Sequence, residues 1–192
     1  MNNMPNNVFK LNRDTPLFMQ VLKLAGWYNG RNIDISQEEI RHREYGYKLN
    51  NAMSDILSEF YNMSHIWYFR LETSCGKIII SGLDYTFTTV GVCHEYNYYK
   101  NLLPPETQSN AVPIIRAGWH QFDRSVWVCK KGLIYAYVPI ENYFEVFSSI
   151  FNFMESEIEG RFRGFTDSPY EKLFVTFGKG QQLLLNWDNA GV

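Results

Sequence analysis

Four histidines (His42, His65, His94 and His120) and three cysteines (Cys75, Cys93 and Cys129) are the groups with which this chain could hold a metal or mount a nucleophile. Zinc sites space such ligands closely, as C-x₂₋₄-C or H-x₃₋₅-H, so that one turn offers two donors to one ion. No pair here has that spacing. Cys93 and His94 are adjacent, but neighbours on a strand point to opposite faces and do not meet at one ion. A Cys–His nucleophile pair would need a meeting in space, and no family signature surrounds any of the three cysteines. They read as buried free thiols, which behave as small hydrophobes. The sequence contains no G-x-x-x-x-G-K-[ST], no G-x-G-x-x-G and no G-x-S-x-G elbow, and Gly178-Lys179-Gly180 is too short to cradle a phosphate. Glu38-Glu39 sits in a charged stretch and reads as a solvated face, not as an acid–base pair. The expectation is no catalytic residue, no metal and no cofactor.

The carboxylates that do cluster lie late in the chain. A helix over about 142–159 would crowd Glu155, Glu157 and Glu159 into its last turn. Anions there oppose the helix dipole, at roughly 0.3–1 kcal/mol each when exposed. Glu141 and Glu145 at the start of that helix would be favourably placed. Two explanations stand: solvated charges partnered by Arg161 and Arg163, or an acidic patch that speeds encounter with a basic partner. Tyr96, Tyr98, Tyr99 and Trp119 are candidate interface anchors. With 5 Trp, 13 Tyr and 14 Phe, however, most aromatic rings must serve the core.

The elements that must position these groups fit one domain of 192 residues. A 45% hydrophobic and 20% charged composition excludes wholesale disorder. Net charge is −2, from 18 basic and 20 acidic residues, which argues against a protein that tracks nucleic-acid phosphates. No run of ~18 apolar residues would span a membrane, and Met1–Asn7 lacks the charged start and apolar stretch of a secretory signal. An odd cysteine count does not suit a disulfide framework. A cytoplasmic protein is expected, monomeric or weakly dimeric.

Residues 1–13 read as a polar, flexible leader. Thr15 as N-cap, Pro16, the apolar positions Leu17, Phe18, Val21, Leu22 and Ala25, and Gly26 as a left-handed stop predict a first helix. Asn29-Gly30 marks a turn, and 37–45 a short solvated helix or turn. Leu49, Ala52, Met53, Ile56, Leu57, Phe60 and Tyr61 predict the clearest helix. Strands are expected at 65–72, 77–81 and 85–92, then at 112–118, 125–129 and 133–138. Ser74-Cys75-Gly76 and Lys130-Lys131-Gly132 are hairpin connections, and 94–103 is expected to be helical up to Pro104-Pro105. A last hairpin is expected across Gly178-Lys179-Gly180, in a C-terminal extension over 160–192. Grouped strands argue an α+β domain over 14–159, an antiparallel, possibly mixed, sheet of about five to six strands covered on one face by helices.

The stretch Leu24-Ala25-Gly26-Trp27-Tyr28-Asn29-Gly30-Arg31-Asn32-Ile33-Asp34-Ile35 resembles the opening "aGW-x-x-gR-x-vdi" signature of the third subgroup of the SUKH superfamily. The resemblance extends to Ala52, Ile56-Leu57 and Glu59-Phe60, to Val112-Pro113-Ile114, and to Val126-Trp127-Val128 with Gly132-Leu133-Ile134-Tyr135, covering roughly 16–158. Ile115 stands where the family often has Gly, and Cys129 at a common acidic position. What the resemblance implies is an immunity protein that binds a bacterial polymorphic toxin, often a nuclease, without turnover. Glu141, Glu145, Glu155, Glu157, Glu159 and Trp119 are the candidate partner-binding residues. Gly26, Trp27, Gly30 and Arg31 are the structural motif: Gly26 ends the helix, Trp27 plugs the gap between helix and sheet, Gly30 turns the chain, and Arg31 donates to unpaired carbonyls or a carboxylate. The competing expectation is a ligand- or carbohydrate-binding regulator linked to cell-wall processes, with exposed Trp or Tyr stacking on sugars.

Overall fold

A computed structural model of the chain describes residues 8–10, 12, 14–24, 26–61, 63, 65–73, 78–86, 99–119, 122–138, 141–157, 170–177 and 181–186. Its elements run β1 (Val8–Lys10), α1 (Leu17–Leu24), α2 (Ser36–Glu44), α3 (Asn51–Phe60), β2 (His65–Thr73), β3 (Ile78–Thr86) and α4 (Pro105–Gln108). They continue as β4 (Val112–Trp119), β5 (Phe122–Val128), β6 (Ile134–Val138), β7 (Tyr143–Phe147), α5 (150–157), β8 (Tyr170–Phe177) and β9 (Gln181–Asn186). Among the described residues no helix is long and apolar enough to cross a membrane.

Local chemistry sets the helix ends. Gly26, at φ 96°, closes α1 by donating to the Lys23 carbonyl at 3.0 Å, while the Trp27 amide donates to Leu22 at 2.9 Å. That is the paired closure of a left-handed C-terminal stop, and Gly46 (φ 79°) repeats it on α2 through Arg43 and His42. Asn50 caps α3, its side chain accepting from the Met53 amide at 3.2 Å. Met53, Leu57 and Phe60 then form the buried stripe of that helix.

Helices pack on a mainly antiparallel sheet, as the α+β expectation had it; among the described residues the strands number nine, where five to six were expected. Their order is β1-β9-β8-β2-β3-β4-β5-β6-β7, with β1 parallel to β9 and every other pair antiparallel. The late hairpin is therefore joined to the sheet through β8 and β2. At the other end of the chain, Val8–Lys10 pairs with β9, and Asn12 exchanges two 2.7 Å hydrogen bonds with the Gln20 side chain. Of the predicted connections, 74–76 and 178–180 lie outside the described residues, as do 87–92 of the expected third strand and 94–98 of the expected helix; 99–100 are helical.

Two expectations change. Val126, Trp127 and Val128 on β5 and Ile134 to Tyr137 on β6 are all buried, with no in–out alternation. Such continuous burial means that both faces of this hairpin are covered, not one. Tyr47 meets Trp127 edge-on and Tyr99 lies 4.7 Å from Tyr137 on one face, whereas Phe153 of α5 packs on Phe147, on the other.

The helix expected over 142–159 is instead a turn, a strand and a shorter helix. Asn142 adopts φ 56°, a left-handed position that a short polar side chain tolerates, and its Oδ1 accepts from the Tyr137 hydroxyl at 2.6 Å. Residues 143–147 then pair with β6, and α5 starts anew at Ser149, whose hydroxyl accepts from the Asn152 amide at 3.1 Å.

These closures can be weighed directly. Gly26→Ala is expected to lower unfolding stability by about 1–2 kcal/mol, the cost of a Cβ in left-handed backbone, and Asn50→Ala by about 1 kcal/mol. Urea titration should show a lower midpoint at an unchanged slope for both.

Candidate functional site

The signature residues converge on the C-terminal end of α3. A helix leaves its last carbonyls without intrahelical partners, and here Arg31 supplies them. Its guanidinium donates to the Glu59 carbonyl at 2.5 Å and to the Tyr61 carbonyl at 2.7 Å. Trp27, 6% exposed, donates its indole N–H to Glu59 Oε1 at 2.9 Å and packs edge-on against Phe151 at 5.7 Å. Phe151 in turn meets Phe60 at 5.5 Å. Trp27 thus fills space between α3 and α5, where a helix–sheet gap was expected. Gly30, at φ 78°, turns the chain so that Arg31 reaches this end. Burial lowers the Arg31 pKa, although Tyr28 and Glu59 nearby favour its charge.

A second polar group docks α2 on the same region. Glu38 and His42, one helical turn apart, are both 0% exposed, so the reading of Glu38 as solvated is wrong. The Glu38 carboxylate holds Arg41 in an ion pair and accepts from the Tyr61 hydroxyl. Burial first, and that carboxylate next, push the Tyr61 phenol above its ordinary value. His42 reaches the Glu38 carbonyl through Nδ1 at 2.8 Å and the Pro113 carbonyl at the start of β4 through Nε2 at 3.3 Å. Both partners are acceptors, and a neutral imidazole has one N–H. The shorter contact assigns the proton to Nδ1. Before α2, Asp34 accepts from the Ser36 amide at 2.9 Å and from its hydroxyl, which holds the Asp34 carboxyl below its ordinary range. The missed signal was spacing: residues 38, 41 and 42 fall at i, i+3 and i+4, one face of a helix.

The candidate partner-binding residues occupy several elements. Glu141 is exposed in the β6–β7 turn, and Glu145 is half-buried in the middle of β7, where the Tyr143 hydroxyl donates to it at 3.4 Å. Neither sits at a helix start. Glu155 is exposed on α5, Glu157 is 4% exposed and therefore not surface charge, and Glu159 lies outside the described residues with Arg161 and Arg163. Trp119 ends β4, paired with Leu83 and Phe122. Tyr99 is half-buried over Tyr137, while Tyr96 and Tyr98 lie outside the described residues. Exposed in this part of the chain are Glu141 before β7, Glu155 on α5, and Tyr143 (46%) and Val146 (56%), which point to opposite faces of β7.

Chemically, the buried groups hold elements together. Both His42 nitrogens face main-chain carbonyls, and Cys129 is buried. Among the described residues no group of three or more His, Cys, Asp or Glu could hold a metal ion. Compared with family models, curated proteins and solved structures, the chain matches none.

His42 gives the domain a pH dependence with a defined sign. Burial lowers its pKa from 6.5, outweighing the two carbonyls and the Glu38 and Glu39 charges. The unfolded chain then binds a proton before the folded one, so the contribution is complete above about pH 6.5 and is lost as pH falls from there toward the folded-state pKa. Stability measured by urea titration should decline from pH 7 to pH 5, and His42→Gln should flatten that part of the profile.

Proposed function

We propose that this chain is an immunity-type protein, related to the third subgroup of the SUKH superfamily, that neutralises a bacterial toxin in the cytoplasm by stoichiometric binding. The toxin would be a cationic nuclease domain. Two lines support the reading. The SUKH-like residues Gly26, Trp27, Gly30 and Arg31 work as one clamp on α3, so the resemblance extends to residues with a joint physical task.

The observation that carries the reading is the one-sided charge at the β7 end. Residues 132–160 contain five glutamates and no Asp, Lys, Arg or His. Glu141 and Glu155 of this segment are exposed, as is Tyr143 on one face of β7. A nuclease presents a basic groove to nucleic acid, and a complementary acidic face steers it and speeds association. Exposed aromatic and apolar side chains supply the desolvated anchors that a tight inhibitor needs over roughly 800 Å² per partner.

If a nuclease-type toxin domain is encoded beside this gene, co-expression with it tests the reading. The wild-type chain should restore growth and co-purify with that domain at one-to-one stoichiometry. The double reversal Glu141→Lys/Glu155→Lys should slow association about tenfold at low salt and flatten its salt dependence. No growth protection and no complex would overturn the function; unchanged association kinetics would overturn the assignment of this face.

A further inference from the structure

We propose that α2 is an acid-released latch: it opens as a local unit from α3 and β4, and protonation of His42 favours the open form. The inference stands apart from the toxin-binding reading and rests on what α2 buries. Helix α1 buries Phe18 and Leu22, α3 buries Met53, Leu57 and Phe60, and α5 buries Ile150, Phe153 and Met154. The buried side chains of α2 are Glu38 and His42, and its one apolar residue, Ile40, is 44% exposed. This helix is therefore seated through ionisable groups, without a buried apolar side chain to hold it down. Elements with few buried apolar contacts open at lower free energy than the core.

The flanks of α2 confine the opening. Ile35 before it and Tyr47 after it both belong to the apolar core, so the chain is pinned on either side. Gly46, at φ 79°, supplies the turn between the helix and the second anchor. The contacts that opening gives up include the Tyr61 hydroxyl on Glu38, the Ser54 hydroxyl on Glu39 at 3.5 Å and the Pro113 carbonyl facing His42. These are polar contacts that water can replace. Protonation then sets the direction. Facing His42 among the described residues are the Glu38 and Glu39 carboxylates of its own helix and the Glu38 and Pro113 carbonyls, while Arg41 and Tyr61 meet Glu38. A second ring N–H would suit Pro113, and the carboxylates favour the cation, but a buried imidazolium loses its hydration, and that loss is the larger effect. In the open form the ring meets water and takes up its proton at the ordinary pH.

The test uses the full chain, read by amide hydrogen exchange corrected for the intrinsic rate at each pH. At pH 7 the amides of α2 should be at least about tenfold less protected than those of β5 and β6, and low urea should barely change them. Between pH 7 and pH 5.5 the opening of α2 should rise several-fold, to at most about eightfold for one group with an open-form pKa of 6.5. His42→Leu, which replaces the imidazole with an apolar side chain of similar reach, should abolish that rise and leave exchange in β5 and β6 unchanged. Equal protection and equal urea dependence in α2 and β5–β6 would overturn the latch, since α2 would then open only with the whole domain. Local opening without a pH response, or a response that survives in His42→Leu, would overturn its release by acid.

Discussion

The carbonyls at the end of α3 must be satisfied where three segments meet, and that requirement organises this half of the molecule. Arg31 takes the Glu59 and Tyr61 carbonyls, Trp27 takes the Glu59 carboxylate, and Glu38 takes the Tyr61 hydroxyl. One short stretch of backbone thereby fixes both the loop after α1 and the helix α2. Guanidinium suits this task because its planar fork reaches two acceptors with one rigid group, which a lysine cannot do. The ring contacts from Trp27 through Phe151 to Phe60 carry the same junction into the apolar core.

From that junction, buried His42 packs α2 against the start of β4, and the β5–β6 hairpin is sandwiched between aromatic layers. Trp127, Val126 and Val128 are completely buried, so the hairpin presents no side of its own to solvent. The outward-facing chemistry is displaced to the β6–β7 turn, β7 and α5. There the strained Asn142 position, held by Tyr137, sets the register in which Tyr143 and Val146 are exposed.

What could be read from the chain and what could not divide along sequence distance. Gly26 as a stop, Gly132 (φ 80°) in its hairpin, the apolar stripe of α3 and the carbonyl-seeking role of Arg31 depend on neighbours or on a motif, and they were legible. The burial of Glu38 and His42 depends on Tyr61 and Pro113, which no local window connects with α2. Residues 143–147 fit a helical face and a β pattern equally well; pairing with β6 breaks the tie. A local signal was nevertheless present there, since Ser149 three residues before Asn152 is a helix start, and it argues against one continuous helix from 142. The candidate acidic face was legible as charge but not as geometry, because Glu157 turns inward while Glu141 and Glu155 do not.

The parallel pairing of β1 with β9 has a kinetic consequence. Val8 meets Leu184, so β1 has to wait until β9 has been synthesised before its ladder can close. Contacts of such long sequence separation form late, after loop-closure entropy has been overcome elsewhere. The α1–α3 junction, built from residues within a short span, is free to assemble during synthesis. The sheet margin at β1 is sealed only after β9 has emerged.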